Sequence, residues 1–296
     1  MGRLIACASL ACIAIAGAAP TAQDIVLPNN EKSVRFAVIG DSGTGGSAQI
    51  RVAERLEAAR KLFPFTFTLM LGDNLYGSER PDDFVDKFER PYKVLLDTGV
   101  KFYAALGNHD DPNQRFYKPF NMNGERYYSF KAPQGSVRFF ALDSNYMDKA
   151  QLDWLEKELA ASDSEWKICF FHHPLYSSGD THGSDTALRE QLEPLFLKHS
   201  VDLVLTGHEH FYERLKPQKG INYIISGSAA KLRKGNIGAS DLTAKGFDQG
   251  YAFLLMEIAG DDLHFQAITD GGRTVDSGHI QRRVDVNTAG KGGSGR

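Results

Sequence analysis

The amino-acid sequence predicts an α/β (mixed α+β) protein in which mixed β-sheets are covered by helices. Short, apolar, β-prone runs alternate with helical patterns through the middle of the chain, which indicates strand–helix–strand units. Two further pairs of β-prone runs flank the turn sequences APQG and AGDD, and each pair predicts a β-hairpin. Strand–helix–strand units and hairpins in one chain favour sheets that contain both parallel and antiparallel strands.

The chain begins with a predicted signal peptide over residues 1–22. A positively charged start is followed by the apolar run 4–16, which is too short to span a bilayer comfortably. The small-residue sequence Ala-Gly-Ala then supplies a cleavage site, as is typical of exported proteins. We therefore expect a secreted or periplasmic protein that has no membrane contact after cleavage.

Residues 30–283 are predicted to form a single domain, and the Gly-rich residues 286–296 are predicted to be disordered. The net charge of −3 gives no basic surface that would favour nucleic acid as a partner. Cys169 is the one cysteine that remains after the predicted cleavage. We therefore expect no internal disulfide and a buried Cys169 thiol. We also expect a monomeric protein.

Four segments repeat apolar residues at intervals of three and four, which predicts amphipathic helices that pack on the sheets. The predicted helices cover residues 50–62, 84–96, 149–161 and 186–199. The predicted hairpin strands cover residues 127–131, 136–142, 251–258 and 263–268.

Polar side chains follow five of the β-prone runs, at the point where each run ends. The runs FAVIG, FTLMLG, FYAALG, WKICFF and VDLVLTG lead to Asp41, Asp73, Asn108, His172 and His208, respectively. Because ligands bind beyond the carboxyl ends of the strands in open sheets of this type, we expect these side chains to meet there. Any one of them alone would be interpreted as a turn or capping residue, but five at strand ends predict one site.

The donor types predict a site for two metal ions. Carboxylate, amide and imidazole groups without a thiolate suit iron, manganese or zinc. A single catalytic zinc ion uses three protein ligands, and this chain supplies more. The candidate ligands are Asp41, Asp73, Asn108, one of His172 and His173, His208 and His210. The two oxygens of Asp73 could join two ions, which lie roughly 3.5–4 Å apart in such sites and clamp a phosphate.

These motifs resemble those of the metallophosphoesterases, and more narrowly those of the small, tartrate-resistant type of purple acid phosphatase. The family motifs present are Asp-x-Gly at Asp41, Gly-Asp-x-x-Tyr ending at Tyr76, Gly-Asn-His-Asp/Glu at Asn108, and Gly-His-x-His ending at His210. The resemblance covers about residues 34–270. It implies a single catalytic domain with two packed mixed β-sheets flanked by helices, which is a four-layer αββα sandwich.

The resemblance also implies which metals bind and where. A phenolate is a hard anionic donor that favours Fe(III), and Tyr76 occupies the position of the phenolate ligand in purple acid phosphatases. The implied ferric site consists of Asp41, Asp73, Tyr76 and His210. The implied site for a divalent Fe(II), Zn(II) or Mn(II) ion consists of Asp73, Asn108, His172 and His208.

The family's Val-x-x-His motif has no exact match in this chain. Cys169 stands three residues before His172, and Phe170 stands three residues before His173. The family's ligand is generally followed by x-Pro, and Pro174 has this relation to His172. His172 is therefore the predicted ligand.

The expected reaction is that of a metal-dependent acid phosphatase, in which a metal-bound hydroxide hydrolyses a small phosphate monoester. His109 follows a ligand in the sequence and is expected to protonate the leaving alcohol. Asp110 is expected to orient His109, and His182 could share the role of proton donor. The same site could accept a phosphodiester or a nucleotide instead.

The sequence GDSG at residues 40–43 raises alternatives based on serine. A trypsin-like protease needs a histidine before this motif, and no histidine precedes His109, which excludes that class. A serine esterase stays open, with Ser42 as the nucleophile and with Asp276 and His279 as its partners. A secreted binding protein without catalytic activity is a third alternative.

Overall fold

Two β-sheets lie face to face, and helices pack against them. The structure, a computed structural model, describes residues 24–283. The predicted signal peptide 1–22 and the predicted disordered tail 286–296 lie outside the described residues. Within residues 24–283, no helix is both long enough and apolar enough to cross a membrane.

The strands within the described residues are β1 (Val34–Ile39), β2 (Phe67–Met70), β3 (Lys101–Ala104), β4 (Tyr128–Lys131), β5 (Val137–Ala141), β6 (Trp166–Phe171), β7 (Leu203–Thr206), β8 (Tyr212–Leu215), β9 (Asn222–Ser226), β10 (Thr243–Phe247), β11 (Ala252–Ala259), β12 (Asp262–Thr269) and β13 (Thr274–Gln281). The α-helices are α1 (Ser47–Leu62), α2 (Pro81–Phe84), α3 (Lys93–Asp97), α4 (Lys149–Ala160) and α5 (Thr186–Lys198). A π-helical turn covers Val85–Glu89, and short 3₁₀ helices cover Pro112–Phe116 and Lys118–Phe120.

Each sheet contains a block of parallel strands next to antiparallel ones. The first sheet has the order β13-β12-β11-β1-β2-β3, in which β1, β2 and β3 are parallel and β11 runs antiparallel to β1. The second sheet has the order β10-β8-β9-β7-β6-β5-β4, in which β5, β6, β7 and β9 are parallel. The predicted fold of two packed mixed sheets flanked by helices is confirmed.

The strands of the parallel blocks are apolar on both faces because both faces are covered. In β6, Ile168 and Phe170 belong to the cluster between the two sheets, where Phe36 of β1 also lies. Cys169 and Phe171 belong to a second cluster, which includes buried leucines of α4 and α5. The Cys169 thiol is free and fully buried, as predicted.

Both predicted hairpins are present. β4 and β5 pair antiparallel, with Tyr128 opposite Ala141. β11 and β12 also pair antiparallel, with Ala259 opposite Asp262 next to the turn. Three of the four predicted helices are present as α1, α4 and α5.

The predicted helix over residues 84–96 is confirmed in part, because the segment is helical but divides into the end of α2, the π-helical turn and α3. Pro91 lies between the turn and α3, where it supplies no backbone donor, although Arg90 before it keeps helical dihedral angles, with φ −66° and ψ −51°. The edge strands β10 and β13 were not predicted from the sequence. Both are partly exposed, so neither has the apolar run that marks an interior strand.

Candidate metal centre

The candidate site lies beyond the carboxyl ends of the two parallel blocks. Asp41, Asp73 and Asn108 follow β1, β2 and β3 of the first sheet. His172 and His208 follow β6 and β7 of the second sheet. The two sheets therefore contribute donors to one site, at the place that the topology predicts for a ligand.

The backbone at three of these positions is in the left-handed region. The φ angles are +55° at Asp41, +53° at Asp73 and +67° at His208. Non-glycine residues adopt this conformation rarely, and each such residue costs roughly 1–3 kcal/mol. Such strain is typical of functional sites and fixes the direction in which each side chain points.

Two glycines allow the strand ends to approach these carboxylates. A Cβ atom on Gly107 would lie 2.3 Å from Asp73 Oδ1. A Cβ atom on Gly207 would lie 2.7 Å from Asp41 Oδ2. Because both distances are too short for any side chain, the glycine before each polar group is required by packing.

Asp41, Tyr76 and His210 form one side of the site, which we call the Tyr76 half. Tyr76 Oη donates a hydrogen bond to Asp41 Oδ1 at 3.1 Å and lies 3.3 Å from His210 Nε2. His210 Nε2 is also 3.3 Å from Asp41 Oδ1. Three donor atoms that the sequence analysis assigned to one metal ion therefore converge on one point.

When no cation is bound, burial and neighbouring charges favour the protonated forms of Asp41 and Tyr76. Burial and the charge of Asp73 raise the pKa of Asp41 well above its usual range. Burial and the charge of Asp41 raise the pKa of Tyr76 far above that of a free phenol. A cation of high charge would reverse both effects, because it stabilises the carboxylate and the phenolate.

Asn108, His172 and His208 form the other side, which we call the Asn108 half. His172 Nε2 lies 3.0 Å from Asn108 Oδ1 and 3.1 Å from His208 Nδ1. The other ring nitrogen of His172, Nδ1, lies 2.9 Å from the carbonyl oxygen of Leu71. Because a carbonyl oxygen can only accept, Nδ1 carries the proton and Nε2 keeps a lone pair for a metal.

The histidines of the site are neutral over a wide pH range. Burial and the neighbouring His172 lower the pKa of His208 to about 2. Burial and the charge of Arg233 lower the pKa of His210 to about 3. Burial also lowers the pKa of His172 well below its usual value. Neutral imidazoles are the form that binds metal.

Asp73 lies between the two halves. Its Oδ1 accepts a hydrogen bond from the backbone N–H of His109 at 3.0 Å and lies 3.4 Å from His172 Nε2. Its Oδ2 is buried and has no hydrogen-bond partner among the described residues. A buried carboxylate oxygen without a partner is costly. The residues present therefore fit a pair of cations that Asp73 would join.

The two predicted proton donors lie on different sides of the site. The exposed ring of His109 packs beside Tyr76, with 4.9 Å between the ring centroids. The ring of His182 lies against His208, with 4.1 Å between the centroids. His109 therefore borders the Tyr76 half, and His182 borders the Asn108 half.

The prediction that Asp110 orients His109 is wrong. The Asp110 carboxylate accepts hydrogen bonds from the backbone N–H groups of Asn74, Leu75 and Gly107, at 3.1, 3.0 and 2.8 Å. It also accepts from the side-chain amides of Asn74 and Gln114, at 3.0 and 2.8 Å. These donors turn the carboxylate toward the loop after β2, so Asp110 connects the loop of Asp73 to the loop of Asn108.

Several further residues surround the site, and Glu209 and Lys231 among them were not predicted from the sequence. His173, the alternative to His172 as a predicted ligand, makes two hydrogen bonds with Ser144 Oγ, one through its backbone N–H at 3.1 Å and one through Nδ1 at 2.9 Å. The ring centroid of His173 is 4.5 Å from that of His208. Glu209 accepts a hydrogen bond from Gly183 N at 2.8 Å and so holds the loop that carries His182. Lys231 Nζ lies over the Tyr76 ring, 4.3 Å from its centroid.

Lys231 reaches the site from a sixth strand end. It follows β9, which runs parallel to β7, and a Cβ atom on Gly227 after that strand would lie 2.8 Å from Asp41 Oδ2. The apolar run INYIISG, which ends in glycine, was the available signal. It was missed because no Asp, Asn or His follows it directly.

The serine esterase residues do not come together. The Asp276 carboxylate is 8% exposed and accepts hydrogen bonds from Tyr212 Oη and Arg214 Nε. His279 is exposed and lies opposite His264 on the neighbouring strand. Residues three apart on a strand point to opposite faces, so Asp276 cannot orient His279. Ser42 is itself 2% exposed, and this arrangement contradicts the esterase alternative.

Two open clefts adjoin the site. One has a volume of about 430 Å³ and is lined by Asn108, Asp143, Asn145, His173 and Asp185 among others. The other also has a volume of about 430 Å³ and is lined by His173, Thr181, His182 and His208 among others. Both reach the Asn108 half, so a substrate bound at the metal ligands would have solvent-accessible space beside it.

Comparison with known proteins places this geometry in a family. The model of the calcineurin-like phosphoesterases matches residues 34–212. Human tartrate-resistant acid phosphatase type 5 is 29% identical over 237 residues, which cover 66% of this chain and 73% of the human protein. Purple acid phosphatase 7 of Arabidopsis thaliana is 24% identical over 293 residues, which cover 87% of this chain and 89% of the plant protein.

Solved structures share the fold. Purple acid phosphatase PPD1 from yellow lupin has a TM-score of 0.69 at 20% identity, over 86% of this chain and 55% of that chain. A dimetal phosphatase from Danio rerio has a TM-score of 0.62 at 16% identity, over 84% and 99%. GAP50, the anchor in the inner membrane complex of Plasmodium, has a TM-score of 0.77 at 20% identity, over 86% and 91%.

The family match extends over more than half of the chain and includes every predicted metal ligand from Asp41 to His210. The two-sheet architecture and the convergence of carboxylates and imidazoles at the strand ends agree with it. The chain therefore belongs to the calcineurin-like phosphoesterase family.

Proposed function

We propose that this phosphoesterase is an acid phosphatase of the purple type, which hydrolyses small phosphate monoesters. The observation that carries the proposal is the position of Tyr76, whose Oη lies 3.1 Å from Asp41 Oδ1 and 3.3 Å from His210 Nε2. A tyrosine at this point supplies the anionic donor that a ferric ion prefers. The similarity to tartrate-resistant and purple acid phosphatases supports the same activity.

The proposed ligands divide between the two halves of the site, with Asp73 in common. Fe(III) would be held by Asp41, Asp73, Tyr76 and His210. A divalent Fe(II), Zn(II) or Mn(II) ion would be held by Asp73, Asn108, His172 and His208. When bound, the two ions would neutralise the charge that develops on the phosphoryl oxygens and would lower the pKa of water.

The ligand histidines support activity at acid pH. His208 and His210 have pKa values of about 2 and about 3, so protons do not compete with metal at these nitrogens until the solution is strongly acidic. His109 is exposed beside Tyr76, from where it would donate a proton to the oxygen of the leaving alcohol. We propose His182 as a second proton donor, on the side of His208.

The proposal is tested by metal content, colour and inhibition. Native protein should contain two metal ions per chain, including iron, and should absorb broadly in the visible. Tyr76→Phe should abolish the band, whereas Tyr146→Phe, a change at a tyrosine that is 58% exposed, should leave it intact. Protein that is active and contains iron but is colourless would show that Tyr76 is not an iron ligand.

Inhibitors separate this proposal from the remaining alternatives. A chelator should abolish hydrolysis of phenyl phosphate, and a serine-directed fluorophosphonate should have no effect. GAP50 has the same fold and is an anchor, so the fold alone does not decide activity. Native protein that contains no metal would indicate a non-catalytic binding protein.

Export and oligomeric state complete the proposal. We propose that the mature protein is secreted or periplasmic, on the basis of the signal-peptide pattern over residues 1–22. We also propose that it acts as a monomer. Amino-terminal sequencing of exported protein should identify a new terminus close to residue 22. Light scattering should give the mass of one chain.

A further inference from the structure

Lys231 is a cation beside the site that no acidic residue neutralises. Its Nζ lies 4.3 Å from the centroid of the Tyr76 ring, over the face of the ring. Among residues 24–283, no carboxylate lies within ion-pair distance of Nζ, and the ammonium has no hydrogen bond in the protein. The side chain is partly exposed, so a ligand in the site can reach it.

Arg233 adds a second positive charge on the same rim. Its backbone N–H donates to the carbonyl oxygen of His210 at 3.1 Å. Its Nη1 lies 3.9 Å from Glu209 Oε2, and neither atom has a hydrogen-bond partner among the described residues. The guanidinium is therefore held near the site by Glu209, with its Nη1 nitrogen buried, and it contributes positive charge to the rim.

Lys231 differs in this respect from the carboxylates that line the cleft beside Asn108, which already have partners. Asp143 pairs with Arg126 Nη1 at 3.1 Å, and Asp185 accepts a hydrogen bond from Leu188 N at 2.9 Å. An anionic group attached to the substrate would therefore be attracted to Lys231. Two bound cations would carry more positive charge than Asp41, Asp73 and a Tyr76 phenolate neutralise, so an ammonium nearby is favourable only when further negative charge arrives.

We propose that Lys231, assisted by Arg233, binds a second anionic group on the alcohol that leaves, so that the preferred substrates are phosphate monoesters that carry a carboxylate or a further phosphate. This inference rests on the proposed phosphatase function and adds the substrate class. Lys231 lies over the Tyr76 ring rather than among the donor atoms of the site.

The test compares two esters of nearly the same shape. 4-Carboxyphenyl phosphate and 4-carbamoylphenyl phosphate differ in charge at one position, far from the phosphorus. Wild-type protein should have a kcat/KM about fivefold higher for the carboxylate ester, which is the size of a partly exposed ion pair. Lys231→Gln should remove this preference, and Lys231→Arg should keep it.

Lys234→Gln is the matched control, because Lys234 is an exposed lysine on the same segment. This variant should keep the wild-type preference. Equal losses for both esters in Lys231→Gln would mean that Lys231 contacts the transferred phosphoryl group, which would overturn the inference. So would a wild-type protein that hydrolyses both esters equally.

A binding measurement separates failure of this inference from failure of the proposed function. 4-Carboxybenzylphosphonate and 4-carbamoylbenzylphosphonate are not hydrolysed, and calorimetry gives their dissociation constants directly. The carboxylate should bind the metal-loaded wild type about fivefold more tightly and should lose this advantage in Lys231→Gln. If neither ester is hydrolysed, the phosphatase proposal fails, and the phosphonate pair still decides the charge preference.

Discussion

The two halves of the candidate metal centre are built by the same kind of structure but differ in electrostatic character, because only the Tyr76 half adds an acidic donor of raised pKa to its imidazole. In the Tyr76 half, burial and neighbouring carboxylates raise the pKa values of Asp41 and Tyr76, and Lys231 lies above the ring. In the Asn108 half, the donors are an amide and imidazoles whose pKa values are lowered. The comparison teaches that the strand ends set the positions of the donors, and we propose that residue type sets which cation each position prefers.

The largest expected effect follows from removing the residue that both halves share. Asp73→Asn should lower kcat/KM by about 10³-fold or more and should empty both metal positions, because Asp73 is the donor between them. Elemental analysis and phosphatase assays give the two measurements. Asp97→Asn, a change at a carboxylate that is 59% exposed, is the control and should retain both metals. Loss of only one metal in Asp73→Asn would show that Asp73 belongs to a single half.

The next effect concerns the connection between the halves. Asp110→Ala leaves the backbone donors of Asn74, Leu75 and Gly107 without their acceptor, so it should lower the free energy of unfolding by about 2–3 kcal/mol. His109→Ala, at the exposed neighbour, should lower kcat with little effect on stability. Denaturant unfolding followed by circular dichroism, together with kinetics, tests both. If Asp110→Ala is as stable as the wild type but has a lower kcat, Asp110 acts in the reaction and does not serve to connect the two loops.

Proton release during metal loading should differ between the halves. The raised pKa values of Asp41 and Tyr76 mean that these groups hold protons which a cation must displace, so binding in the Tyr76 half should weaken as the pH falls from 7 to 5. His208 has a pKa of about 2 and is already neutral in this range. The metal affinity of the Asn108 half should therefore change little between pH 7 and pH 5.

Calorimetry in two buffers of different ionisation enthalpy counts the protons. Metal-free protein loaded first with ferric nitrilotriacetate should release at least one proton more than the same protein loaded afterwards with Zn(II). Equal proton release in the two steps would show that the halves do not differ in the way described.

The smallest expected effect is at a residue outside both halves. His279→Ala should leave kcat/KM unchanged within twofold, because His279 is exposed on β13 and Asp276 faces Arg214 instead. The measurement is the rate of hydrolysis of phenyl phosphate. A loss of kcat/KM comparable to that of Asp73→Asn would mean that the catalytic residues lie away from the proposed metal ligands.

The sequence was sufficient to predict the sheet edge on which the site lies, because Asp41, Asp73, Asn108, His172 and His208 each follow an apolar run. It was not sufficient for Asp110, whose neighbour in sequence is His109 but whose contacts are with Asn74 and Leu75. Adjacent residues can face different partners, and only the folded loops decide which.

Lys231 shows a second limit of prediction from the sequence. It belongs to no motif, and its distance from Tyr76 depends on β9 entering the sheet beside β7. The helix predicted over residues 84–96 shows a third limit, since apolar spacing does not reveal that the segment divides into the end of α2, a π-helical turn and α3 near Pro91, which supplies no backbone donor.

The proposed ligands follow strands of both sheets, with Asp41, Asp73 and Asn108 after strands of the first and His172, His208 and His210 after strands of the second. A pair of ions held by all of them would act as an inorganic cross-link between the two layers, in a domain whose Cys169 is a free thiol. The metal centre would then also hold the two sheets together at one edge, and removal of the metals would lower the stability of the domain together with its activity.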